Sequence, residues 1–293
     1  MTQLFIRTIS TGLALVTCLA TAQAQDEQSD GETSAAAIAQ KLADPNATLG
    51  QLSFPLDYVA YKGDLPGADS QSAWKLSFQP SLPYSISDKM NLFVRPLVPV
   101  FLDQPVPVAG DQGIGTASPD FSGTGVQLGD IGFDVALGKS FSNGMLVLGG
   151  VVGSLPTATD DAVGLDQYLL GPEVLVAKVG SWGAIGGLLT HQWDVAGEDS
   201  FDTNITAGQY FFTYNLKDAW QISMSPTFSY NHEADSGNKL TFPLGFGMSK
   251  TVIFGETPWR FNLQYWHYIE TPDLFGPEFQ IRFSLTPVVP LPW

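Results

Sequence analysis

The chain has 293 residues, with 13 Lys+Arg against 29 Asp+Glu and a formal net charge of −16. Only 14% of residues are charged, against roughly 25% in an ordinary soluble domain, while 44% are hydrophobic and 12% aromatic. So acidic a chain excludes nucleic acid as a partner, because the phosphate backbone recruits Lys and Arg. So apolar a chain excludes acidic disorder, and a mean hydropathy of +0.07 excludes a helical membrane bundle.

Residues 1–24 read as a secretory signal peptide. Arg7 supplies the basic start, Ile9–Ala20 is an apolar stretch too short to span a bilayer as a helix, and Ala22-Gln23-Ala24 is a small-x-small cleavage site. An anchor helix is the alternative, and Thr17 before Cys18 argues against a lipoprotein signal. Cleavage after Ala24 removes one basic residue and no acid, leaving −17. It also removes the single Cys, so the mature chain has no disulfide framework and no Cys-based metal site or nucleophile.

Residues 25–50 form a polar leader. Within it Ser34–Ala43 is a short helix candidate stopped by Asp44-Pro45, either a small plug, a periplasmic cap or a frayed lead-in.

From residue 51 to 293 the dominant period is two. Trp220, Ile222, Met224, Phe228 and Tyr230 alternate with Gln221, Ser223, Ser225, Thr227, Ser229 and Asn231. About twelve such runs are present: 52–62, 73–84, 91–101, 127–138, 145–156, 167–179, 183–195, 203–216, 219–231, 239–251, 258–269 and 277–286. Most have the 9–11 residues that a transmembrane strand needs. The run 145–156 is apolar on both faces, which leaves its register open.

Short connections (Ser85–Met90, Lys139–Gly144, Gly180–Trp182, Lys217–Asp218, Phe254–Thr257) alternate with long ones (Gly63–Ser72, Leu102–Val126, Thr157–Asp166, Ala196–Asp202, Glu233–Asn238, Glu270–Gly276). This is the order of tight periplasmic turns and outer loops in an outer-membrane barrel. Charge follows the same division. The long loops hold fifteen acids and no Lys or Arg: Asp64, Asp69, Asp103, Asp111, Asp120, Asp160, Asp161, Asp166, Glu198, Asp199, Asp202, Glu233, Asp235, Glu270 and Asp273. Each short turn or its flank has a Lys: Lys89, Lys139, Lys178, Lys217 and Lys250. Aromatics gather at both ends, with Tyr84, Trp182, Tyr214, Trp220 and Trp259 toward the turns and Tyr58, Trp74, Tyr168, Trp193 and Tyr230 toward the loops, as interfacial girdles require.

The expected fold is therefore all-β: a transmembrane antiparallel up-and-down barrel of about twelve strands, with ten or fourteen as alternatives and a short N-terminal helix before it. Its expected place is the bacterial outer membrane. Leu155-Pro-Thr-Ala-Thr-Asp-Asp161, Tyr168-Leu-Leu-Gly-Pro172, Glu233-Ala-Asp-Ser-Gly-Asn238, Phe242-Pro-Leu-Gly245 and Gln280-Ile-Arg-Phe283 make the chain resemble, from about Ala39 to Phe283, the MetA-pathway of phenol degradation family of outer-membrane proteins. The resemblance implies a barrel that helps hydrophobic or aromatic compounds enter the cell, and it implies no catalytic residues. The chain departs from the expected terminal strand in Thr286–Trp293, which reads as a proline-broken tail.

On the expected lumen face, Lys75, Arg260 and Arg282 meet Asp57, Asp130, Asp134, Glu173 and Glu278, with Gln79, Gln209, Asn262, Gln264 and Gln280 among them. Such groups either fill a narrow barrel as a structural network or form a polar constriction that filters solutes. Leu102–Val126, the longest loop, is either an inward constriction or a surface loop. Among the outer acids, Asp160, Asp161, Asp166, Glu198, Asp199, Asp202, Glu233 and Asp235 are the surface expected to meet lipopolysaccharide, with divalent cations relieving their repulsion. No cofactor is implied.

Three functional readings compete. The leading one is passive or facilitated uptake of small hydrophobic or aromatic solutes. The second is a closed structural or surface-interaction barrel. The third, a lipid hydrolase, would rest on His232 with the nearby Glu233, Asp235 and Ser236, whereas His191 and His267 fall on the apolar phase of their strands.

Overall fold

The computed structural model describes residues 34–108 and 120–291. The signal peptide, residues 25–33 of the leader and Trp293 lie outside the described residues. Twelve long strands run antiparallel, each bonded to its neighbours in sequence: β1 (Gly50–Lys62), β2 (Ser72–Ser81, resuming at Tyr84–Ser87), β3 (Met90–Asp103), β4 (Gln127–Leu128 and Ile131–Ser140), β5 (Met145–Leu155), β6 (Gln167–Gly180), β7 (Gly183–Gly197), β8 (Asn204–Asn215), β9 (Trp220–Met224 and Thr227–Asn231), β10 (Leu240–Phe254), β11 (Thr257–Glu270) and β12 (Gly276–Val289). β12 pairs back onto β1, from Gly50↔Val289 to Lys62↔Gly276, and closes the barrel. Closure leaves no open sheet edge, and in hydrocarbon an edge would carry unbonded N–H and C=O groups.

The period-two pattern becomes two faces. Val94, Val135, Leu137, Val147, Val151, Val174, Val176, Ile185, Leu189, Leu244, Phe246 and Leu263 are all exposed on the outside. A continuous apolar skin of this kind exceeds the few hundred Å² that a water-soluble monomer tolerates; it suits lipid. β5 shows how its ambiguous register resolves: Leu146 and Leu148 are buried inward, and Val147 and Val151 are exposed outward.

The connections fall as the sequence orders them, and the turn-end lysines have work there. Lys178 Nζ donates to the Asn143 carbonyl in the β4–β5 turn, and Lys250 Nζ to the Asp218 carbonyl in the β8–β9 turn. In the β4–β5 turn, Gly144 takes φ +81°, a conformation a side chain would strain, and an added Cβ would also meet the Val179 carbonyl.

The C-terminal segment differs from the sequence expectation. Instead of a broken tail, β12 continues through Pro287 to Val289, with the β1 register unchanged on either side of the proline: Phe54↔Leu285, then Gln51↔Val288. Pro287 costs one donor toward β1 but still pairs with Trp259 of β11, so that loss does not end the ladder. β10 also outruns its expected end, reaching Phe254.

Candidate functional site: the lumen and its N-terminal plug

The segment before β1 is an ordered plug at the turn end. Its helix α1 (Ala35–Leu42) is started by Ser34, whose Oγ accepts from Ala37 N–H. Ile38, Ala39 and Leu42 are buried. The barrel holds this segment from opposite walls. Gln221 Nε2 of β9 donates to the Ala39 carbonyl at 2.8 Å, and Arg260 Nη1 of β11 reaches the Leu42 carbonyl at 3.5 Å. On the other side Asn91 Nδ2 of β3 donates to the Asn46 carbonyl, and Asn46 Nδ2 to Ser140 Oγ of β4, each at 2.8 Å. The bonds to Ala39 and Leu42 replace the water that these orphaned C-terminal helix carbonyls would otherwise need, and those to Asn46 fasten the segment after the helix.

Above the plug the lumen has two unlike walls. From β3 to β8 the inward residues are mostly apolar: Phe93, Ala136, Leu146, Leu148, Leu175 and Ala177 form a buried cluster, with Leu188 and Phe211 packed against it. From β9 through β12 to β2 they are polar and linked strand to strand. Asn262 Nδ2 donates to Ser223 Oγ (2.7 Å), Ser249 Oγ to Gln221 Oε1 (3.2 Å), Ser225 N–H to Gln264 Oε1 (2.9 Å) and Tyr268 Oη to Gln280 Oε1 (2.9 Å), while Trp266 Nε1, on the same strand as Gln264, also donates to Gln264 Oε1 (3.0 Å). Two adjoining cavities of about 300 and 250 Å³ lie between the walls, sharing Gln79, Arg95, Leu188 and Gln209 as lining.

Charge is concentrated in two knots. In the first, Asp57, fully buried, accepts Arg282 Nε at 2.6 Å and Nη2 at 2.8 Å, accepts Gln280 Nε2 at 2.9 Å, and has Lys75 Nζ at 3.9 Å. Trp266 lies under the Arg282 guanidinium at 4.4 Å. The fork-to-fork geometry is the strongest ion pair that these groups can form. In the second, Arg95 Nε donates to both Asp134 oxygens at 2.8 and 3.0 Å, while Arg95 Nη2 lies 3.9 Å from Glu173.

Of the residues expected to form a lumen network, Asp57, Lys75 and Arg282 come together, and so do Asp134 and Glu173. Gln264 and Gln280 join the polar ladder. Glu278 is half-buried near the outer end of β12, at the register shift between β12 and β1. Asp130 is a correction. It lies in the break between the two parts of β4 and serves the loop, accepting Thr157, Ala158 and Leu165 backbone N–H groups at 2.8–3.0 Å. Three convergent amides capture a carboxylate more readily than a distant cation does. Arg95, the centre of the second knot, escaped the sequence reading. Its run, Asn91–Phe101, is apolar on both phases and carries two prolines, so no clean alternation marks Arg95 as inward.

At the outer end, part of the longest loop forms a two-stranded hairpin, Pro105–Val108 with Asp120–Gly123. It folds over the first and last loops, where Phe121 and Tyr61 both pack on Phe275, at 5.1 and 4.5 Å between ring centres. Gln104 joins it to the barrel through Tyr61 Oη. Asp130, Asp160, Asp161, Asp166 and Glu198 line a loop groove of about 380 Å³. Hydrogen bonds from the Ser200 backbone and side chain hold the Glu198 carboxyl below its usual range. Among the described residues no group of three or more potential ligands is placed to hold a metal ion.

The histidine expected of a hydrolase is turned elsewhere. His232 Nε2 lies 2.8 Å from Thr206 Oγ1, which also lies 2.7 Å from His191 Nδ1, and the Trp193 and Tyr230 rings pack edge-on to this pair. The cluster is on the outward face of β7–β9, in the outer aromatic girdle.

No family model and no curated protein sequence matches the chain. Among solved structures it is similar to the COG4313 outer membrane channel from Pseudomonas putida F1, with a TM-score of 0.59 at 13% identity over 82% of this chain and 94% of that one. The NanC porin is more distant, with a TM-score of 0.49 at 10% identity over 80% of this chain and 98% of that one. A Pseudomonas aeruginosa FadL homologue is more distant again, at 0.41 and 9% identity over 84% and 92%. At these identities the likeness is one of fold, and the fold is the closed, twelve-stranded barrel of an outer-membrane protein.

Proposed function

We propose that the protein is an outer-membrane channel that takes up small hydrophobic or aromatic solutes, as the resemblance to the MetA-pathway of phenol degradation family implies. The observation that carries this reading is the apolar wall of the lumen. A water-filled general pore is lined by polar groups on all sides, whereas here Leu175, Leu188 and Phe211, backed by the buried Phe93 and Leu148, give one side of the cavity apolar surface that favours an apolar solute over water. The plug and the ladder keep the free space small, so the expected traffic is selective. In the same reading the acidic outer loops face the lipopolysaccharide surface, with divalent cations as the bridge.

The test pairs two measurements. In planar bilayers the protein should conduct ions weakly. A strain lacking it should take up a labelled aromatic hydrocarbon more slowly than the same strain carrying it, and equal uptake by the two would sink the reading.

A further inference from the structure

Four cations face the lumen from the strands. Arg95 has Asp134 at 2.8 Å, Arg282 has Asp57 at 2.6 Å, and Lys75 has the same Asp57 at 3.9 Å. Arg260 forms no ion pair among the described residues. Its Nε is shut off from solvent and bonds to nothing. Its one hydrogen bond among the described residues, Nη1 to the Leu42 carbonyl, is 3.5 Å long, beyond the 2.7–3.2 Å of a good N–H···O bond. An unpaired guanidinium with a dry N–H is expensive to keep.

Its surroundings suggest what it is kept for. Arg260 lines the 300 Å³ cavity directly above the plug. On Arg260's own side stand Ser223, Ser225, Asn262 and Gln264, polar apart from the neighbouring Met224; across the cavity Leu175, Leu188 and Phe211 give apolar surface between Gln209, Thr213 and Arg95, whose charge Asp134 already pairs. The carboxylate on the lining, Asp44, accepts the Asn46 N–H at 2.8 Å and is not within ion-pair distance of Arg260. The volume is at the lower edge of small-ligand sites, roughly 300–1,000 Å³. One end of the space offers a planar cationic fork, which suits a carboxylate, and the other offers apolar surface.

We infer that this cavity is a binding site for small amphipathic carboxylates, the headgroup on Arg260 and the hydrocarbon part against Leu175, Leu188 and Phe211. The inference rests on the uptake reading above and narrows its solute class: among solutes of equal hydrophobicity, the anion is the one retained.

The experiment is calorimetric titration of the full protein in amphipol with octanoate and with octanol, which share a chain and differ in the charged head. Wild type should bind octanoate at least tenfold more tightly than octanol. Arg260→Gln should bring octanoate down to the octanol level and leave octanol unchanged, with heat-modifiable gel mobility confirming that the barrel is intact. Wild type binding the two probes equally overturns the inference without any variant. A preference that survives Arg260→Gln overturns it too. Octanol bound as well as octanoate leaves the uptake reading standing, whereas binding of neither probe removes both. A merely structural Arg260, fastening α1, predicts that the substitution changes both probes alike.

Discussion

The two halves of the lumen arise from one sequence pattern and end as different materials. From β3 to β8 Phe, Leu and Ala at inward positions pack as a buried cluster, with the Arg95–Asp134–Glu173 knot set beside it. From β9 round to β2 they are Gln, Ser, Asn, Thr, Asp, Lys and Arg, bonded to one another across the strands. The outside is apolar throughout, because lipid surrounds the whole barrel. The inside has no such uniform solvent and is free to specialise. One wall is held by exclusion of water and the other by paired polar groups, so the two should fail in different ways.

The largest effect is expected on the polar wall. Asp57→Ala leaves Arg282 and Lys75 without their shared carboxylate. Removing one member of a buried pair costs about 3–5 kcal/mol, and the midpoint of heat-modifiable migration in SDS should fall steeply. An unchanged midpoint would mean that water already screens the knot. Leu148→Ala, in the middle of the apolar wall and fully buried, should cost less, about 2–3 kcal/mol for a cavity that the neighbours partly fill. If Leu148→Ala proves the more damaging, packing rather than the ion knot holds the lumen together.

A third substitution tests the junction between wall and plug. Gln221 donates to the Ala39 carbonyl at 2.8 Å and to Asn215 Oδ1 at 2.7 Å, and accepts from Ser249 at 3.2 Å. Gln221→Ala should loosen the plug by about 1–2 kcal/mol, raising its undocked population roughly 5–30-fold. Protease cleavage within residues 34–49 of the solubilised protein reads this directly; cleavage at the wild-type rate would place the hold elsewhere on the segment.

What the sequence made legible follows the same comparison. The polar wall was readable because its strands alternate strictly. In β11, Asn262 and Gln264 sit between Phe261, Leu263 and Tyr265, and one parity suffices to place them. Twelve strands, their turns and their loops followed from the same signal. The apolar wall was not readable as a wall. Where both phases are apolar, as in Met145–Leu155, parity carries no information, and only pairing with β4 and β6 decides that Leu148 faces in. Arg95 was lost for the same reason. Asp130 was misplaced because parity counts residues and cannot see the break in β4. The plug was one of three options for Ser34–Ala43, since its docking depends on Gln221 and Asn91, remote in sequence and each buried for that contact.

The smallest expected effect is also the one that separates plug from wall most cleanly. Asp44 belongs to the plug, and burial pushes its carboxyl above the ordinary range, against the opposing hydrogen bond from Asn46 N–H. The sign follows from linkage. A carboxyl whose pKa is raised on docking favours the docked segment when protonated. Its contribution is complete below the ordinary carboxylate pKa of about 3.9 and is lost as pH rises from there through the raised value. Docking should therefore be tighter at pH 4 than at pH 7, and single-channel conductance lower. Asp44→Asn keeps an oxygen to accept the Asn46 N–H and carries no charge at either pH. It should conduct less than wild type at pH 7 and match it at pH 4. Other carboxylates in the lumen titrate in both proteins, so the difference between variant and wild type, and not the slope of either, isolates this residue. A difference that stays constant from pH 4 to 7 would show that ionised Asp44 does not strain the plug, and would leave the two walls to set how firmly it sits.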